Sequence, residues 1–466
     1  MTDPGLSSLV QPLIGRKKPF ISTNEIQWQM NEFSGEFGRS FEVSARVISC
    51  PCSLPFYRLR RYNSALGKSE TSGLSDWSQT GFQSLTLVQF GKPLTTMQLT
   101  CQRASLTNAF QTVAGVVPSR TTKDILKNVK LMATGGKVTL IGTDSEIGLR
   151  CDVPDVVADS SGEALLPTAR VLSVLRELSE DVVKLEITSD AIWIRCGYSE
   201  FRLSAEDPAD FPPVATFGDE EYFVATAATL RQLIRRTIFA TDTESTRYAL
   251  GGVQIEFTAD KATFAATDSR RLAVVSGACR VVGGATPPAA PPVVPSKAMT
   301  LIERSLGEGE AEVHIAIHPN DIAVRCGGTT ITSQLVQGRF PDWRKVVPGN
   351  FSAKIDMVVA PFYGAIRQAM IVTNEESRGV DFTFTKGLLK LSSQAADIGQ
   401  SKVEVPIAYD GEDVKITFDP RYVADFLKAL DNSSQFHFQL ISHEDPAVLA
   451  TDDGYTYVIM PLSRDR

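Results

Sequence analysis

Three stretches of this chain repeat one another about 125 residues apart, and that repeat limits the possible folds more than any other feature. A hydrophobic run enters a turn at 137–144 (KVTLIGTD), again at 261–268 (KATFAATD), and more loosely at 388–395 (LLKLSSQA). A second landmark follows each: Pro167 (PTARVLSVLREL), Pro295 (PSKAMTLIERSL) and Pro420 (PRYVADFLKAL) each open a helical pattern. Proline is tolerated at the first helical position, because the N–H it lacks has no intrahelical partner there, so each proline is predicted to occupy that position. The two series step together, by 124 and 127 residues for the first and by 128 and 125 for the second. One unit has been used three times, and units this long are whole domains, since solenoid repeats run at about 20–50 residues.

A length of 466 residues agrees with that count at roughly 150 residues per domain. The predicted domains are 97–217, 218–348 and 349–466, preceded by a 96-residue N-terminal extension (1–96) outside every copy. The boundaries are placed near 210–219 and 348–351. The Pro-rich stretch 281–295 resembles a linker, but the repeat places it inside the second copy as an enlarged loop. Hydrophobic content of 43% and charged content of 22% describe an ordinary globular chain. No apolar run approaches the ~18 residues of a membrane span, and the N-terminus lacks the plan of a signal peptide. The seven cysteines form no CxxC pair, and Cys101, Cys151, Cys196 and Cys326 sit in strand-like contexts as small buried thiols. A cytoplasmic, reduced location is expected, with no membrane partner.

Residues 1–96 carry 10 basic and 7 acidic residues, whereas the repeats carry 37 and 47, a net of −10. An acidic balance argues against indiscriminate nucleic-acid binding. Within the repeats, however, the first helical pattern of each copy (103–117, 228–240, 361–372) holds Arg103, Arg231, Arg235, Arg236 and Arg367 and no acid. Such segregation suggests one shared basic surface; the alternative is chance placement on solvated faces. The second helical patterns add Arg170, Arg176, Lys297, Arg304, Arg421 and Lys428, mixed with acids. Short runs of period-two alternation lie between the helices (183–187, 191–195, 201–204, 313–317, 322–325, 330–335). Each domain therefore reads as two halves, each pairing a helix with several strands, an α+β plan with antiparallel sheets.

Catalytic chemistry is missing. The four histidines are His314, His318, His437 and His443. His314 and His318 lie on one face of a strand-like run, roughly 13 Å apart, with no ligating cluster beside them. No GxSxG, HExxH or GxxxxGK[ST] occurs. Acids such as Asp144 with Glu146, or Asp452 with Asp453, sit at turns and read as capping. The chain reads as a non-enzyme without metal or cofactor.

Longer motifs carry a resemblance. Residues 266–273 read ATDSRRLA, 338–348 read GRFPDWRKVVP, and 457–462 read YVIMPL. In this order and spacing, over residues 97–466, they resemble the bacterial DNA polymerase III beta subunit, the sliding clamp family. The resemblance implies three DNA-clamp domains per chain and two chains joined head to tail as a homodimer. Helices would line a ring around double-stranded DNA, with the sheets outside. DNA contacts would fall to Arg120, matching a DNA-touching arginine of the family, to Arg247 and Tyr248, and to the helix arginines Arg103, Arg231, Arg235 and Arg367. A pocket for short linear motifs would be formed by Leu250, Thr267, Arg271, Leu272, Pro341, Lys345, Val346, Tyr422, Val458, Met460, Pro461 and Leu462. Its implied ligands are the replicative polymerase alpha subunit, the clamp loader and other clamp-motif proteins. Phe201 and Leu203 would meet Ile371 and Val372 of the other chain to close the ring.

The chain departs from the family in three places. Ser269-Arg270 stand where the family usually has Gly-His, Ala249 replaces a tyrosine beside the pocket, and the tail runs on through 463–466. Met97 resembles the usual start of a clamp. The preceding 96 residues read as a mis-called start or a disordered appendage, with an added module as the alternative. Two rival functions stay open at this point. One is a paralogous clamp with a specialised repair or drug-tolerance role; the other is a hydrolase hidden in the N-terminal segment.

Overall fold

A computed structural model describes residues 26–35, 38–47, 97–242, 244, 249–374, 378–395 and 398–462, and for 26–47 the backbone alone. Those first residues form a two-stranded antiparallel hairpin, Ile26–Gly35 with Gly38–Val47. The hairpin and the body from Phe90 onward are separate compact units.

In the body, a plan of one strand, one helix and three strands recurs six times. The helices are α1 (Arg103–Ala114), α2 (Thr168–Glu177), α3 (Ala227–Arg235), α4 (Ser296–Ser305), α5 (Val359–Ala369) and α6 (Pro420–Lys428). They pack in pairs, α1 on α2, α3 on α4 and α5 on α6, one pair per domain. Each buries residues three and four apart: Leu106, Ala109, Phe110 and Val113 in α1, and Leu230, Leu233 and Ile234 in α3. Among the described residues no helix is long and apolar enough to cross a membrane.

Only Pro420 stands at a first helical position; Pro167 and Pro295 cap their helices from outside, as the last residues of the strands Gly162–Pro167 and Val293–Pro295. The fixed φ of proline suits either position, so the sequence pattern could not tell them apart. The first helices are also shorter than their acid-free runs. Ile238–Ala240 and Met370–Val372 are separate 3₁₀ turns. His318 lies past the end of its strand, which stops at Ile317. There both ring nitrogens contact carboxylates, Nδ1 to Asp321 at 2.6 Å and Nε2 to Asp219 at 2.8 Å. Cys101, Cys151 and Cys196 are buried and Cys326 half-buried, with burial pushing the Cys101 thiol up to about 12.

Every strand pairing among the described residues is antiparallel, and the sheets ignore the domain boundaries. The last strand of the second domain, Thr329–Gln334, pairs with Ile147–Val153 of the first, making a nine-stranded sheet. The last strand of the third, Thr456–Ile459, pairs with Arg271–Ala278 of the second, making an eight-stranded sheet. At the two ends remain a five-stranded sheet in the first domain, edged by Ser199–Ser204, and a four-stranded sheet in the third, edged by Gly399–Pro406.

The Thr-Asp repeat is a turn built twice. Thr143 Oγ1 donates to the Ile147 carbonyl at 2.8 Å, and Thr267 Oγ1 to the Arg271 carbonyl at 2.6 Å. Asp144 Oδ1 accepts the N–H groups of Glu146 and Ile147, and Asp268 Oδ1 those of Arg270 and Arg271. The residue between, Ser145 at φ 85° and Ser269 at φ 73°, takes the left-handed conformation. Each turn uses its second carboxylate oxygen on a cation: Asp144 binds Lys297 of the next domain, and Asp268 binds Arg271, which reaches on to the next domain.

Candidate peptide-binding site

Where the second and third domains share a sheet, Leu272 stands opposite Val458. The two are 3% and 1% exposed and form one apolar cluster with Ala249, Val274, Phe340 and Val448. Val336, Trp343 and Val347 pack on it part-buried. Three distant segments thus converge on one floor: the end of the 240s loop with the strand Arg271–Ala278, the stretch 336–347, and the last strands of the chain. Leu250 is buried beside Ala249 but belongs to no part of this cluster, and its carbonyl accepts the Asp242 N–H at 2.9 Å.

The remaining predicted residues surround the floor by connectivity. Pro341 follows Phe340 and is half-buried, while Val346, after the 3₁₀ turn Trp343–Lys345, is 46% exposed. Lys345 is exposed and paired with Asp342 at 3.1 Å. Met460 is 40% exposed, its N–H donating to the Arg270 carbonyl at 2.9 Å. Pro461 and Leu462 are half-buried, and the Leu462 N–H donates to the Thr417 carbonyl at 2.8 Å.

Thr267 and Arg271 are committed inside the fold. Thr267 closes its turn. Arg271, its side chain 10% exposed, donates Nε to Asp268 at 2.9 Å, Nη1 to Asp425 of α6 at 2.8 Å, and Nη2 to the Phe239 carbonyl at 2.7 Å. Its guanidinium lies 4.4 Å from the Tyr422 ring centre and 5.4 Å from that of Phe239. Burial opposes the charge, but Tyr457, Asp425 and Asp268 outweigh it, so the guanidinium is held firmly protonated. Tyr422 is therefore fixed by Arg271 on its face. A second arginine, Arg236 (9% exposed), crosses the same junction to Asp453 at 2.7 Å, while the buried Tyr455 hydroxyl donates back to the Arg236 carbonyl at 2.7 Å. The floor is thus rooted in a rigid interdomain seam.

Sequence reasoning named Ala249 only as a departure beside the pocket and Arg236 only as a helix arginine, and it missed Phe340, Trp343 and Asp425. Phe340 and Trp343 lie inside a quoted motif, and their size was the available signal. Asp425 and Arg236 act through pairs 154 and 217 residues apart in the chain, which leave no local pattern.

The predicted DNA residues divide differently. Arg120 is exposed in the turn region after α1, and Arg367 is exposed with its guanidinium 5.9 Å from the Tyr363 ring centre. Arg235 is exposed but bound to Glu303 at 2.6 Å. Arg103 donates Nε to the Glu180 carbonyl at 3.0 Å. Arg231 donates to the carbonyls of Leu306 and Gly307 at 3.0 and 2.8 Å, capping the end of α4. Its guanidinium is engaged within its own domain, so the acid-free run overstates the free positive charge. Arg247 and Tyr248 lie outside the described residues. Among the described residues, Arg120, Arg170, Arg176, Arg304 and Arg367 have no carboxylate in ion-pair contact.

Of the predicted closing residues, Phe201 is 36% exposed and Leu203 half-buried on the free edge strand Ser199–Ser204. Ile371 is 74% exposed and Val372 half-buried in the turn after α5, which packs on the free edge strand Gly399–Pro406.

Comparison with known proteins accords with this architecture. Family models described as the DNA polymerase III beta subunit N-terminal, central and C-terminal domains match residues 97–215, 225–342 and 344–463. The beta sliding clamp of Pseudomonas aeruginosa is 31% identical over 369 residues, covering 78% of this chain and all of that protein. A crystal structure of the Pseudomonas aeruginosa DnaN sliding clamp bound to griselimycin superposes with a TM-score of 0.73 at 30% identity, covering 79% of this chain and 99% of that one. The Bacillus subtilis DNA polymerase sliding clamp gives 0.73 at 25% identity, covering 79% of this chain and all of that one.

Proposed function

The chain belongs to the DNA polymerase III beta subunit family, and from that membership we propose that it encircles duplex DNA as a head-to-tail homodimer and tethers the replicative polymerase. The observation that carries the ring is the pair of unjoined sheets. At each internal junction, the strand after the repeated turn pairs with the last strand of the following domain. The third domain's strand in that position, Gly399–Pro406, and the first domain's last strand, Ser199–Ser204, are both left at a sheet edge. Five strands from one chain and four from another would rebuild the nine-stranded sheet of the first internal junction. The contact is heterologous, so it closes a ring when the rotation permits and otherwise extends a filament. Free edges with Phe201 on one strand and the exposed Ile371 in a turn packed beside the other are an aggregation hazard unless so covered.

Unmatched cations such as Arg120 and Arg367 support backbone binding. They would displace counterions from phosphate and read no base, as a sliding ring requires. The apolar floor at the second junction supports capture of a Leu- or Phe-bearing segment of the polymerase alpha subunit, the clamp loader or other clamp-motif proteins. No catalytic group is needed, because processivity follows from topology.

Two measurements test the reading. Sedimentation velocity should give a particle of twice 50.7 kDa at micromolar concentration. Protein loaded on nicked circular DNA should be released when the circle is cut. A monomer, or retention on linear DNA with free ends, would overturn the ring.

A further inference from the structure

Two arginines occupy the same helix position and are held differently. Arg235 and Arg367 are each the ninth residue of their helix, α3 and α5, and both are exposed. Among the described residues Arg367 has no carboxylate in ion-pair contact, and its guanidinium lies 5.9 Å from the ring centre of Tyr363, one turn back. Arg235 instead donates Nε to Glu303 Oε1 at 2.6 Å, from α3 to the α4 helix packed on it. The acid is the sheltered member of that pair, its side chain 22% exposed against 61% for the arginine. Counted from the landmark prolines, Glu303 and Lys428 both stand eight residues on, so the third copy has a cation where the second has this acid. Lys428 turns to Asp425 on its own helix at 3.1 Å. Other cations of the α3–α4 pair are engaged as well: Arg231 caps α4 and Lys297 binds Asp144.

We propose that Glu303 is a positioning residue for DNA: it holds Arg235 within the chain, so that the second domain offers phosphate one cation fewer than its helix sequence supplies. The proposal rests on the ring reading and adds to it a limit on how tightly the lining grips. Each cation that settles on phosphate releases about one counterion, so the grip multiplies with every cation committed. A ring that slides needs that product kept small, and an internal carboxylate lowers it while the arginine stem keeps its place on the helix. The pair is largely exposed on the arginine side, so it is weak and screened by salt, and phosphate competes for Arg235. Freeing Arg235 leaves the sheltered Glu303 carboxylate without its donor, and that cost opposes binding. In the third copy nothing opposes Arg367 in this way.

The test titrates a short fluorescein-labelled duplex with the full chain across a salt series. Glu303→Gln keeps the shape of the side chain and removes its charge. It should tighten binding about three- to tenfold at roughly 0.1 M salt and steepen the plot of log affinity against log salt by up to about 0.9. Removing a negative charge anywhere favours DNA, so the same substitution is also made on Arg235→Ser, where the acid has nothing to hold. There it should change the slope little. Damage to folding would weaken binding rather than steepen the slope, so it cannot mimic the expected result. A slope that Glu303→Gln leaves unchanged, or steepens equally with and without Arg235, overturns the tether while the ring stands. A parent chain that binds no duplex overturns the ring reading and this inference together.

Discussion

If two chains rebuild the internal junction between them, the register of the new strand pair is already fixed, and a charge reversal can expose it. In the first two copies the seventh residue of the repeat, Thr143 or Thr267, faces Gly148 or Leu272 across its hairpin, and in the third Gln394 faces Gln400. Gln400 therefore takes the place of Gly148. Ser199 and Thr329 each face the cysteine of the preceding strand, so Arg202 takes the place of Thr332. Thr332 pairs with Gly148, which sets Arg202 opposite Gln400 and Glu200 opposite Lys402 on the partner. Opposed charges in antiparallel strands contribute about 0.2–1 kcal/mol, and like charges cost a similar amount. Glu200 is 50% exposed and already contacts Arg195, and Lys402 is 58% exposed and contacts Glu404, so the lower part of that range applies. Counting attraction lost, repulsion gained and two interfaces per ring, Glu200→Lys or Lys402→Glu should weaken the dimer by about 1–2 kcal/mol, about five- to thirtyfold in its dissociation constant. The double variant should recover to within a few-fold of the parent, and high salt should shrink every difference. A sedimentation dilution series reads all four proteins. If the double variant dissociates as readily as the worse single one, the register is wrong.

Arg271→Met keeps the stem but strips three charge-assisted contacts from two mostly buried carboxylates and a carbonyl; it should cost about 3–4 kcal/mol in denaturant unfolding. A loss under about 1 kcal/mol would remove Arg271 from its place at the seam. His318 is held above its ordinary value of 6.5 by hydrogen bonds first to Asp219 and then to Asp321. A raised folded value gives stability that is complete below 6.5 and fades as pH climbs through that folded value, so His318→Gln should lower the melting temperature at about pH 6 and barely at about pH 9. Equal losses at both pH values would contradict this. Arg120→Ser and Arg367→Ser should each flatten the slope of log affinity for duplex DNA against log salt by about one unit, uniformly across sequences; an unchanged slope would exclude that arginine from the phosphate contacts.

Much of the fold was legible because periodicity and repetition are local signals. The strands, the helix pairs and the threefold plan all follow from them. The charge pattern was legible only in part: the absence of acids on α3 marks its basic character, but not that Arg231 caps α4 while Arg235 holds Glu303. Long side chains choose partners that composition does not name. The site was legible as segments, since Leu272, Phe340 and Val458 lie in recognisable motifs. The seam beneath it was not, because Arg271 with Asp425 and Arg236 with Asp453 join residues that only the folded chain brings together. His314 and His318 looked equivalent by spacing, yet the strand ends between them and one of them becomes a link to the interdomain stretch.

The unequal strength of the repeat itself has a physical reason in the junctions. A Thr-Asp turn is closed by its own hydroxyl and carboxylate, yet each aspartate also holds a cation that serves a domain boundary: Asp144 with Lys297, and Asp268 with Arg271 and through it Asp425. The strand after each of these turns continues its sheet into the next domain of the same chain. In the third copy Gln394-Ala395 replace Thr-Asp, and among the described residues the strand that follows, Gly399–Pro406, has no neighbour on its outer side. The motif is present where the turn braces a covalent neighbour and absent where the described residues supply none. On the proposed ring, the looser third copy is the one that meets a second molecule in place of a covalent neighbour, with Lys402 and the exposed Ile371 where the other copies have a lysine or arginine tied to the turn.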